Sequence, residues 1–81
     1  MVREYEALWY GWEPDDTSGE YVLIYPDGDK RWYKDGKCHR EDGSAFEYSN
    51  GHKLYLYEGM VYHDIKSVEE WINFLKLKFL W

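Results

Sequence analysis

One cysteine, two prolines and no long apolar run are found in 81 residues, and each shortage closes off a class of protein. A single thiol, Cys38, can form neither an internal disulfide nor a cysteine cage for zinc. It suits a reducing compartment, where it acts as a small hydrophobe. No stretch approaches the ~20 apolar residues of a membrane span. The opening MVREYEALWYGWEP lacks the charged-then-apolar layout of a secretory leader. The expectation is a cytoplasmic protein with no membrane partner. Bases are also few, ten against sixteen acids, for a net charge of −6. That balance opposes extended contact with a nucleic acid.

What the chain does have is aromatic rings, at 21% of residues. Each buried ring removes a large apolar area from water, which compensates for the modest core that a single domain of this size can build. Charge is unevenly spread. Residues 1–29 carry eight acids against one base, whereas 30–40 carry Lys30, Arg31, Lys34, Lys37 and Arg40 against Asp35 alone. Such a strip is either a solvated rim or a contact surface for an acidic partner.

The chain also repeats itself. A shift of 23 places Tyr25 on Tyr48, Gly28 on Gly51, Lys30 on Lys53 and Gly36 on Gly59, the mark of stacked supersecondary units. YPDGD and YSNGH each supply a three-residue loop ending in glycine, and Asp35-Gly36 and Glu58-Gly59 each supply a two-residue turn that needs positive φ. Strands are expected at 20–25, 30–34, 37–40, 45–48, 53–57 and 60–63, with another near 4–10. Trp9-Tyr10, shifted onto Trp32-Tyr33, opens a degenerate half unit. The segments are 1–19 (opening strand and acidic loop), 20–43, 44–66 and a C-terminal helix at 67–81.

Turn geometry sets Leu23 opposite Arg31, Val22 opposite Trp32 and Tyr33 opposite Cys38. Both sheet faces are then apolar, so both need cover. SVEEWINFLKLKFLW supplies a helix with a capping box, Ser67 and Glu70. At about 100° per residue, Val68, Trp71, Ile72, Leu75 and Phe79 share one stripe. That stripe can cover one face. Phe74, Leu77, Leu80 and Trp81 then remain without a partner, as does the face around Trp32, Tyr55 and Tyr57. This leftover surface points to self-association as a homodimer.

The stretch YPDGDKRWYKDGKCHREDGSAFEYSNG resembles the short W-Y-x-x-G-K-x-H-R-E-D-G hairpin repeats of bacteriophage and some bacterial proteins, which look like MORN repeats. HDIKSVEEW also resembles tails that close such phage proteins. The resemblance spans roughly residues 20–75 and departs from the pattern at Met60, Tyr62, His63 and Asp64. It implies a mainly β fold with one C-terminal helix: a curled antiparallel β-meander of about two and a half MORN-like repeats. It implies a viral setting and no reaction.

Chemistry is sparse. Cys38 and His39 are adjacent on a strand and point to opposite faces, so they make a poor nucleophile and base. His39, Arg40, Glu41 and Asp42 read better as ties between units. His39, His52 and His63 match no zinc spacing, and no glycine-rich loop enters a helix. No metal, cofactor or enzymatic activity is expected. The candidate partner or ligand surface is Lys30, Arg31, Trp32, Lys34, His39, Arg40 and Tyr55. The first expectation is a phage-type binding protein that inhibits or titrates a bacterial host factor, such as a defence system. The alternatives are a sponge for a nucleotide or other small anion, with bases beside stacking rings, and a structural virion accessory piece.

Overall fold

A computed structural model describes residues 2–79; Leu80 and Trp81, two of the four residues expected at a self-association face, lie outside the described residues. Among the described residues, seven strands precede one helix: β1 (Arg3–Glu6), β2 (Glu20–Ile24), β3 (Lys30–Lys34), β4 (Lys37–Cys38), β5 (Phe46–Glu47), β6 (Lys53–Tyr57), β7 (Met60–Tyr62) and α1 (Val68–Phe79). The fold is mainly β, as expected. The two-residue turns have positive φ at both positions, +51° and +82° at Asp35-Gly36 and +48° and +85° at Glu58-Gly59. Only type I′ geometry gives that pair, and it matches the right-handed twist of the flanking strands.

These turns and the three-residue loops fix the register. Val22 lies opposite Trp32 and Leu23 opposite Arg31, Tyr33 opposite Cys38, Phe46 opposite Leu54 and Leu56 opposite Val61. Sheet order is β1-β2-β3-β5-β6-β7, with β4 also on β3. The β4 and β5 strands share one edge of β3, at Tyr33–Lys34 and at Lys30–Arg31 respectively. Between them the chain leaves the sheet and returns. Cys38 ends the ladder, two residues earlier than expected.

The start of the chain departs from an antiparallel meander. The β1 strand pairs with β2 in parallel, Arg3 opposite Tyr21 and Glu6 opposite Ile24, so the sheet is mixed. Parallel neighbours need a crossover of about a dozen residues or more, and residues 7–19 supply it. That crossover covers the first sheet face. Ala7 is buried with Tyr21, Leu23 and Tyr25, and Trp12 packs against them. Trp9 and Tyr10, expected in a strand of a degenerate half unit, lie instead in a turn of the crossover.

The helix starts as its sequence demands, with the Glu70 N–H donating to Ser67 Oγ at 3.1 Å. Trp71 and Leu75 are fully buried and meet Tyr55. The helix therefore covers the face around Tyr55 and Tyr57, the one expected to be left bare. Tyr57 stacks on Phe79 with centroids 4.1 Å apart. Two further expectations shift. Val68 is exposed rather than part of the core stripe. Phe74 packs in its own chain against Tyr62, at 5.1 Å.

Candidate functional site

Where the chain leaves the sheet, between β4 and β5, Trp32 is the pivot. Its carbonyl accepts from the His39 N–H at 3.0 Å and its N–H donates to the Ala45 carbonyl at 2.8 Å. On the far side, the Arg40 and Ala45 N–H groups donate to the carbonyls of Leu56 and Leu54, which flank Tyr55. The sequence HREDGS thus fills a gap between two aromatic positions of neighbouring strands.

Its side chains close the gap, as the sequence implied. His39 is buried. Its Nδ1 accepts from the Glu58 N–H at 2.9 Å, so the proton sits on Nε2, which donates to Glu41 Oε2 at 2.7 Å. The Arg40 guanidinium lies 4.0 Å from the Trp32 ring centroid. It donates to Asp42 at 3.0 Å and the Ser44 carbonyl at 3.1 Å, and reaches Glu47 at 3.3 Å. A Cβ at Gly43 would come within 2.9 Å of Arg40 Cζ, so a larger residue there would displace the guanidinium. Trp71 Nε1 donates to the Arg40 carbonyl at 2.8 Å, tying the helix to the same place.

This arrangement sorts the seven candidate partner or ligand residues. Lys30, Trp32 and Lys34 alternate along β3 and share one face. Arg31 points to the other, where Tyr10, Tyr25 and Phe46 surround its guanidinium with centroids at 5.2, 5.2 and 4.8 Å. Tyr55 lies under Trp71, 5.5 Å between centroids. His39 and Arg40 are engaged in the ties just described. A cleft of about 280 Å³ beside Trp32 is lined by Arg40 but also by Glu20, Glu41 and Asp42. The strip is therefore not a continuous cation surface.

Burial pushes the Cys38 thiol pKa up, which disfavours the thiolate that nucleophilic chemistry needs. Among the described residues, no group of three or more His, Cys, Asp or Glu is placed to hold a metal ion, and no helix is long and apolar enough to cross a membrane.

The crossover carries a feature that the sequence reading missed. Leu8 is 65% exposed and Trp9 59% exposed, adjacent on a turn that is held in place on both sides. On one side, the Ala7 N–H donates to the Ile24 carbonyl at 2.9 Å. On the other, Tyr10 stacks on Tyr25 at 4.4 Å, and its hydroxyl meets Asp27 and Asp29 at 2.6 and 2.5 Å. The Trp12 N–H closes the turn onto the Trp9 carbonyl at 3.1 Å, and Gly11, at φ +95°, permits it. Asp29 in turn accepts from the Ser49 N–H at 2.7 Å. The signal was Gly11 itself, which interrupts the strand pattern directly after Trp9-Tyr10.

No family model, curated protein or solved structure matches this chain.

Proposed function

We propose that this chain is a small non-enzymatic binding protein that contacts another protein, with the Leu8-Trp9 turn as its anchor. The observation that carries the reading is the pinning of that turn. An exposed tryptophan on a mobile loop would lose freedom on binding, at about 0.5–1.5 kcal/mol for each immobilised side chain. Here Ala7, Tyr10 and Trp12 are already fixed on either side of it. Tryptophan is prominent among residues that dominate interface energies. Exposed Glu6, Glu13 and Asp15 flank the turn in sequence, so the matching surface is an apolar pocket with a basic rim.

The resemblance of the hairpins to phage repeats supports a bacterial host factor, such as a defence component, as that partner, and the host cytoplasm as the setting. The small-anion alternative draws on Lys30, Arg31, Trp32, His39 and Arg40 together. Arg31 lies on the other face from Trp32, His39 is buried, and Arg40 is engaged by Asp42 and Glu47, which favours the protein partner.

Affinity capture from bacterial lysate, run in parallel with the native chain and Trp9→Ala, tests the reading. The native chain is expected to retain a specific protein that Trp9→Ala loses while keeping its melting temperature. Retention of the same protein by both would remove the turn from the interface. A nucleotide that raises the native melting temperature would favour the small-anion alternative instead.

A further inference from the structure

We infer that the chain forms a two-fold dimer through the outer side of α1, in which Leu77 of each copy enters a groove of the other. The groove lies between the helix and the segment after β7. It has a volume of about 380 Å³ and is walled by Tyr62, Ile65 and Phe74, with Glu70 and Asn73 along its edge. Leu77 stands at its rim with 81% of its surface exposed. Knob and hole therefore sit side by side on one surface, which is the self-complementarity that a two-fold interface requires.

Charge selects the same occupant. Glu69 and Lys76 are both exposed and stand seven positions apart, two helical turns, so they lie on one flank of the stripe formed by Glu70, Asn73 and Leu77. A two-fold axis across that stripe runs the helices antiparallel. Glu69 of each copy then faces Lys76 of the other, twice. A parallel two-fold pairing would place the two flanks on opposite sides of the interface, so Glu69 and Lys76 would not meet across it. The acidic first turn and basic last turn of α1 oppose their counterparts in the same way, so the helix dipoles also align favourably. The inference does not depend on the Leu8-Trp9 turn.

Sedimentation velocity of the full chain over a micromolar concentration series tests it. The native chain is expected to sediment as a dimer. Leu77→Glu, at an exposed position, should leave the melting temperature of the dilute chain unchanged and weaken the dimer at least a hundredfold or so, since each interface loses two buried leucines. Glu69→Lys and Lys76→Glu should each weaken it, and the chain carrying both should regain native association, because the reversed charges meet again. A native chain that stays monomeric throughout overturns the inference. So does a dimer that Leu77→Glu leaves intact, or a double reversal no tighter than the single ones.

Discussion

Trp32 and Tyr55 occupy the same place in successive hairpins, 23 residues apart, yet their covers are unlike. Around them the backbone hardly differs. The loop before each strand closes with Gly28 N–H on the Tyr25 carbonyl at 2.9 Å and Gly51 N–H on Tyr48 at 3.0 Å. Asp27 and Asn50 each accept from the N–H two residues on, at 3.1 and 3.0 Å. Over Trp32 lies the Arg40 guanidinium; over Tyr55 lies Trp71, fully buried. A polar, partly solvated lid serves one hairpin and a dry helix the other. Repetition specifies the ribbon, and the segments outside the repeat finish it.

If the two covers differ in kind, removing them should differ in cost. Trp71→Ala removes the largest fully buried side chain and strands the Arg40 carbonyl. A loss of about 3–5 kcal/mol is expected, most of the stability that a domain of this size holds. Arg40→Ala loses a cation–π contact and exchangeable ion pairs, for about 1–3 kcal/mol. Urea unfolding of both chains gives the ranking, and an Arg40→Ala cost equal to that of Trp71→Ala would erase the distinction.

The backbone likeness is tested at the turns. Gly36→Val and Gly59→Val each force a β-branched residue to positive φ, where nothing lies within 4 Å of the added Cβ. Both should lose about 1–2 kcal/mol, and by similar amounts. A melting temperature unmoved by Gly36→Val would contradict the type I′ turn.

A smaller effect separates the ends of the molecule in acid. The Tyr10 hydroxyl and the Ser49 N–H hold the Asp29 carboxyl below the usual carboxylate range. A folded-state pKa lowered in this way stabilises the fold above the ordinary value near 4 and is lost as the pH falls below it. Melting temperature should therefore drop below about pH 4, and less steeply in Asp29→Asn. Equal slopes for the two chains would remove Asp29 from the acid response.

Most of the ribbon was legible because glycine, aspartate and asparagine at turns act through local sterics, and turn length then dictates register. Strand direction has no such local signature. Arg3-Glu4-Tyr5-Glu6 alternates equally well beside a parallel or an antiparallel neighbour, and a strand expected near 4–10 left the crossover at 7–19 out of sight. The helix stripe was visible, but with both sheet faces apolar nothing in the pattern chose between them. The HRED ties were readable from donor and acceptor types. The Leu8-Trp9 turn was not, because the 23-residue shift lays Trp9-Tyr10 over a strand, although Gly11 interrupts that strand pattern.

The parallel pairing of β1 has a consequence for the order of folding. Both hairpins close over a few residues, whereas Arg3 must find Tyr21, at the larger entropic cost of a longer loop. The hairpins are therefore expected to form first, and the amino-terminal segment to dock later and open earlier than they do. Amide exchange should reflect this, with Tyr5 and Ala7 exchanging faster than Trp32 and Leu56. Undocking the segment releases the tryptophan turn while the rest of the sheet stays intact, so competence to bind would be lost at a lower temperature than the fold itself.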